Sequence, residues 1–173
     1  MRGRSLETSK QNSGLPKVEK DKKIILTYGT FDLFHIGHVR LLKRLKALGE
    51  YLIVGVSTDE FNAKKGKRCL IPYAQRAEIV ASSQFVDQVI PEHDWSQKKT
   101  DIITYAVDIF SMGDDWQGQF DELKAFCSVQ YLPRTTDIST TEIKQLLTEF
   151  DSKKIEKIKN ALDLLQEISK DFS

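Results

Sequence analysis

From Ile24 onward the chain alternates short apolar runs with segments of helical periodicity, and few folds accommodate that alternation. The runs Ile24 to Tyr28, Tyr51 to Ser57, Phe85 to Ile90, Ile109 to Met112 and Val129 to Leu132 are rich in Ile, Val and aromatic residues, as buried strands are. Between them Leu41, Leu42, Leu45 and Leu48 recur at helical spacing before Gly49, and Arg76 to Ser83, Gln97 to Tyr105 and Phe120 to Phe126 give weaker helical patterns. Strands that alternate with helices pair in parallel through right-handed crossovers, which cover both faces of the sheet. The sequence therefore predicts an α/β fold: a Rossmann-like, doubly wound parallel five-stranded sheet in the order 3-2-1-4-5, with helices on both faces. In that order strands 1 and 4 meet at the switch point, so the loops after strands 1, 4 and 5 open into one crevice at the carboxyl edge.

Composition narrows the function classes. The length of 173 residues suits one domain with a single core. With 26 Lys+Arg against 25 Asp+Glu, the chain lacks the strongly basic face of a nucleic-acid binder. No apolar run approaches the roughly 18 to 20 residues that span a bilayer, and the polar N-terminus has no signal-peptide core. No membrane insertion and a cytoplasmic location are expected. Cys69 and Cys127, without metal-ligand spacing, read as free thiols. Residues 1–23 hold seven basic and three acidic side chains without apolar periodicity and read as a flexible tail. Residues 24–150 read as the working domain. Residues 151–173, where Ile155, Ile158, Leu162, Leu165 and Ile168 recur at three- and four-residue steps, read as an amphipathic helix that packs back on the domain.

The three loops at the crevice carry the unusual residues. The first runs Gly29, Thr30, Phe31, Asp32, Leu33, Phe34, His35, Ile36, Gly37, His38 into a helix. It is neither a dinucleotide glycine motif nor a P-loop. It does put two imidazoles on one face of a helix N-terminus, where free N–H groups favour an anion. Gly37 between them removes a Cβ, so a phosphate can approach the backbone. A pair of capping histidines is the plain structural alternative, and a metal held by Asp32, His35 and His38 is a third reading of lower rank. The last loop runs Pro133, Arg134, Thr135, Thr136, Asp137, Ile138, Ser139, Thr140, Thr141, Glu142. Ser139 and Glu142 fit a capping box, while Arg134 and the hydroxyls before a helix N-terminus also fit a second phosphate cradle. The middle loop, Met112 to Trp116, sets Asp114 and Asp115 at the end of strand 4, where they serve as turn formers or as ligands. The basic run Lys64 to Arg68 is either a solvated loop or a lid.

Together and in this order, the stretches TYGTFDLFHIGH, MGDDW and PRTTDISTT resemble those of the HxGH nucleotidyltransferases, and among them the cytidylyltransferases that act on glycerol 3-phosphate. The resemblance runs from about Ile24 to Phe150. It implies transfer of CMP from CTP to a phosphorylated polyol, giving CDP-glycerol and pyrophosphate for cell-wall or capsular polymers, by a homodimer that uses Mg²⁺. It implies nucleotide contacts from Thr30, Phe31, His35, His38, Lys67, Arg76, Asp115 and Arg134 to Thr141. Catalytic duty falls to His35, His38, Lys67 and Arg134, the acceptor phosphate to Lys65 and Lys98, and metal contact to Asp32 or Asp115. Two positions depart from the family: Asp137 replaces Gly and Gln84 replaces Arg. Ribitol, ethanolamine or choline phosphate are the alternative acceptors. The sequence shows no aromatic cluster of the kind that cages choline's cation. A catalytically silent nucleotide-binding protein is the alternative from another class, against which His35, His38, Arg134 and Ser139 argue.

Overall fold

The computed structural model describes residues 22–133, 135 and 140–170. The predicted tail lies outside them except for Lys22 and Lys23, as do Arg134, Thr136, Asp137, Ile138 and Ser139. Five parallel strands, β1 (Ile24–Gly29), β2 (Tyr51–Ser57), β3 (Gln88–Glu92), β4 (Ile109–Gly113) and β5 (Ser128–Leu132), form one sheet in the order β3-β2-β1-β4-β5, as the alternation predicts. The helices are α1 (Ile36–Lys46), α2 (Asp59–Lys64), α3 (Tyr73–Ala81), α4 (Gln97–Thr104) and α5 (Thr140–Lys170), with 3-10 turns at Asp114–Trp116 and Asp121–Ala125.

The two-residue period of a strand sorts β1 onto both faces of the sheet. Ile24, Leu26 and Tyr28 join Ile102 of α4, Phe110, Phe120 and Leu123 in one cluster, whereas Ile25 joins Leu42 and Leu45 of α1 and Val80 of α3 in the other. Both faces are therefore covered, which is why the strands read as continuous apolar runs. Close packing also dictates Gly49: a Cβ there would lie 2.2 Å from Ile25 Cδ1 and 2.6 Å from the Lys23 carbonyl.

Several boundaries differ from the sequence reading. The third strand lies at Gln88–Glu92, not Phe85 to Ile90, because Phe85 and Val86 cap the core from the loop while Asp87 pins the strand entrance by accepting from the Leu52 amide. Pro91 is tolerated because β3 is an edge strand. The α2 helix follows a Thr58 cap that accepts from Phe61 N–H and is too short for a periodic signal. The two C-terminal helical patterns are one continuous helix, α5. Rather than packing back, α5 leaves Leu146, Leu147, Phe150, Ile155 and Ile158 exposed.

Candidate nucleotide-transfer site

The loop after β1 is built to carry two histidines. Gly29 lies against the ring of Phe31, and a Cβ there would meet that ring at 2.7 Å. Phe31 and Leu33 both adopt left-handed backbone, with φ of 53° and 48°, a conformation that non-glycine residues hold only where the surroundings enforce it. Asp32 is the enforcer. Its buried carboxylate accepts from the amides of Leu33, Leu70 and Ile71 and pairs with Lys144 Nζ at 2.7 Å. Burial alone would push that carboxyl up, but the Lys144 ammonium and the amides hold it below its ordinary value.

His35 is the N-cap of α1, and His38 answers it from the first turn. His35 Nδ1 accepts from Gly37 N–H at 3.0 Å, and His38 Nδ1 accepts from His35 N–H at 3.3 Å. Each ring must leave Nδ1 bare to do so, which fixes the neutral proton on Nε2. The rings stack with centroids 4.0 Å apart. Burial lowers the pKa of both, and for His38 burial and the neighbouring His35 bring it down to about 4. The capping reading holds: both Nδ1 atoms accept within the first turn, which leaves the proton of each ring on Nε2, and both rings line the cleft described below.

The N-terminus of α5 closes the same crevice. Thr140 Oγ1 donates to the Asp32 carbonyl at 3.0 Å and lies 3.5 Å from His35 Nε2. Thr30, Phe31, His35, His38, Asp115, Thr135, Thr140 and Thr141 line one cleft between β1, β4 and β5. Sequence reasoning missed Arg44, which donates to the Pro133 carbonyl at 2.8 Å and to Thr135 Oγ1 at 3.3 Å and so steers the last loop toward that cleft. It also missed Lys144, which ties α5 to the Arg68 carbonyl and to Asp32. Both sit in helical patterns where a cation normally reads as solvated surface.

Arg76 is placed differently from the expectation of a nucleotide contact. It is fully buried beneath the loop and donates to the carbonyls of Thr30, Ser57 and Ile71 and to Asp59. Its guanidinium thus braces the carboxyl ends of β1 and β2 from inside. The donor set sets Asp32 apart from Asp115 as a metal contact: the carboxylate of Asp32 is engaged by amides and Lys144, whereas Asp115 lines the cleft between β1, β4 and β5. Both cysteines are free thiols, their pKa raised by burial.

A second cleft adjoins the first. Phe61, Lys65, Lys67, Trp95 and Trp116 line it, and Lys67 also borders the histidine cleft beside Thr30, His38 and Thr140. Lys65 Nζ donates to Ser57 Oγ at 2.9 Å and stands 3.7 Å from Glu92, while Lys98 Nζ pairs with the other Glu92 oxygen at 2.6 Å. Burial lowers the Lys65 pKa, partly offset by Glu92. An aromatic cluster that the sequence did not reveal surrounds these ammoniums, because Tyr28, Phe61, Trp95, Trp116 and Phe120 come from separate segments that only folding joins.

Comparison with known proteins agrees with this fold. Residues 26–146 match the cytidylyltransferase-like family. The chain is 56% identical over 123 residues to glycerol-3-phosphate cytidylyltransferase of Bacillus subtilis strain 168, covering 71% of this chain and 95% of that protein. It is 52% identical over 131 residues to the Staphylococcus aureus enzyme of the same name, covering 76% and 99%. The crystal structure of a lipopolysaccharide core biosynthesis protein from Thermoplasma volcanium superposes with a TM-score of 0.57 at 26% identity, over 66% of this chain and 98% of that one. Matched over residues 26–146 by the family and over 71% and 76% of its length by these two relatives, the chain belongs to the cytidylyltransferase-like family.

Proposed function

We propose that the protein transfers the cytidylyl group of CTP to sn-glycerol 3-phosphate, giving CDP-glycerol and pyrophosphate. The observation that carries this reading is the identity of 52% and above to glycerol-3-phosphate cytidylyltransferases over nearly their whole length. The site's chemistry supports it. A phosphomonoester, ionised near neutral pH because its second pKa is about 6, attacks the α-phosphorus in line. The new P–O bond forms as the bond to the β-phosphate oxygen breaks, and pyrophosphate carries the electron pair away. No side-chain nucleophile is needed. What the protein supplies is position and compensating charge.

His35 and His38, neutral and with their protons on Nε2, donate to the phosphate oxygens without reorienting. The α1 N-terminus adds the positive end of its dipole. Lys67, bordering both clefts, follows charge as it moves from the attacking to the leaving oxygens. Lys65 receives the acceptor phosphate, and Arg134 through Thr141 complete the nucleotide cradle. A divalent ion such as Mg²⁺ would arrive on the triphosphate and offset its charge, with Asp115 of the cleft as the carboxylate that would meet it directly or through water.

The same reading puts the enzyme in the cytoplasm with its CTP, as a homodimer, feeding synthesis of a glycerol-phosphate polymer of the cell wall or capsule. The test is pyrophosphate release with CTP or ATP and a panel of glycerol, ribitol, ethanolamine and choline phosphates. Turnover with CTP and glycerol 3-phosphate alone is expected. Release with ATP but not CTP overturns the nucleotide, turnover with another acceptor overturns glycerol 3-phosphate, and silence with every acceptor favours a non-catalytic binding role.

A further inference from the structure

Asp32 and Lys144 pair with each other and together hold the segment that follows Lys67. Lys144 Nζ stands 2.7 Å from the Asp32 carboxylate and donates to the Arg68 carbonyl at 3.0 Å. The same buried carboxylate accepts from the Leu70 and Ile71 amides, each at 3.0 Å. On the other side of this segment, the Lys67 amide donates to the Asn62 carbonyl at 2.9 Å, and the buried Asn62 side chain donates to the Ser57 carbonyl. The backbone around Lys67 is thus held at both flanks, by the end of α2 on one side and by α5 on the other. Thr140 and Lys144 lie four residues apart, on one face of α5. Thr140 takes the Asp32 main chain and Lys144 takes its side chain, so the first turn of α5 grips the β1 loop twice.

We infer that Lys144 is a positioning residue for the transfer: by holding the Arg68 carbonyl beside Asp32, it sets the reach of Lys67 into the histidine cleft. Lys67 is exposed and borders that cleft beside His38, Thr140 and Lys144. A lysine side chain at an exposed position samples many rotamers, so the backbone decides which volume its ammonium sweeps. When Lys144 no longer donates, the Arg68 carbonyl turns to solvent and the segment from Lys67 to Cys69 drifts from the cleft. A displacement of about 1 Å at a group that must meet a reacting centre can cost about 100-fold in rate. The charge of Lys144 is spent on Asp32, so its effect on the reaction passes through Lys67. The inference rests on Lys67 acting on the migrating charge, and extends that role to the residue that places it.

Lys144→Met removes the donor. Its kcat for pyrophosphate release with CTP and glycerol 3-phosphate is expected to fall at least about ten-fold while the CTP KM stays within about three-fold, because Lys67 acts as charge moves in the transition state. Lys144→Arg keeps the charge and the donors and is expected to recover kcat to within about three-fold of wild type. In a Lys67→Ala background the same Lys144→Met change is expected to cost less than about two-fold more, whereas a merely structural lysine costs the same factor in both backgrounds. Cys69, a free thiol between the held residues Arg68 and Leu70, gives a readout that needs no turnover. Iodoacetamide labelling, mapped by mass spectrometry, is expected to speed up at least about ten-fold at Cys69 in Lys144→Met and to stay unchanged at Cys127. Because Lys144→Met leaves Asp32 buried without its cation, the double variant D32N/K144M, checked by circular dichroism, repeats both measurements with the two charges removed. Wild-type kcat in a folded Lys144→Met, equal factors in the two backgrounds, or unchanged Cys69 labelling overturns the inference. If the wild type makes no CDP-glycerol, or Lys67→Ala turns over at the wild-type rate, the proposed function or the role of Lys67 in it fails, and Cys69 labelling alone decides whether Lys144 holds the segment.

Discussion

The histidine pair makes a quantitative prediction about stability in mild acid. His38 is held neutral, its pKa lowered from 6.5 to about 4 by burial first and by His35 second. In the unfolded chain it protonates near its ordinary value. The unfolded state therefore binds more protons than the folded one between about pH 4 and 6.5, and stability rises with pH across that window. The contribution is complete above about pH 6.5 and is lost as pH falls toward 4. Between pH 7.5 and 5 the two pKa values correspond to a loss of about 2 kcal/mol. For a chain of this size that lowers Tm by roughly 4 to 8 °C. The structural event behind it is specific: a protonated Nδ1 no longer accepts from His35 N–H, so the cap of α1 opens. Urea unfolding followed by circular dichroism at both pH values, on the wild type and on His38→Asn, isolates the effect from other titrating groups. The Asn variant is expected to lose most of the pH dependence assigned to this site. Equal pH dependence in the two proteins would refute the buried neutral imidazole and the tautomer argument built on it.

Four further outcomes are expected. His35→Ala and His38→Ala lower kcat by at least about 100-fold with the circular dichroism spectrum retained, as removal of preorganised donors does; near-normal turnover in a pyrophosphate-release assay excludes their role. Arg76→Met strips a buried guanidinium from three carbonyls and Asp59 and destabilises by about 3 to 5 kcal/mol, read by urea unfolding; a change below about 1 kcal/mol refutes the internal brace. Asp32→Ala releases the Leu70 and Ile71 amides and Lys144, so the CTP KM rises and the 70–71 segment becomes a site of limited proteolysis; an unchanged cleavage pattern counts against the tether. Deleting residues 151–173 removes Ile155 and Ile158 from the exposed apolar surface of α5 and is expected to convert the proposed homodimer to a monomer in mass measurements; an unchanged oligomeric state excludes this part of the helix as the dimer element.

The order of elements was legible because β1, β2 and β4 are buried on both faces and α1 on one, so apolar spacing records the layers directly. The β3 boundary was not, since Phe85 and Val86 are as apolar as a strand although they pack from a loop. His35 and His38 could be found from their spacing because their geometry is local: a capping pair within one helical turn needs no distant partner. Arg76 misled for the opposite reason. Its bonds reach 46 residues back to Thr30 and 19 back to Ser57, and nothing in its surroundings in the chain distinguishes a brace from a ligand contact. The aromatic cluster was invisible for the same reason, with Tyr28, Phe61, Trp95 and Phe120 contributed by four separate segments. By itself, then, the sequence determined the sheet, its switch point and the histidine-capped turn at its edge, because periodicity and capping act over neighbouring residues. Only the tertiary structure decided which charged groups face the crevice and which are consumed inside, because burial and long-range pairing arise when distant segments meet.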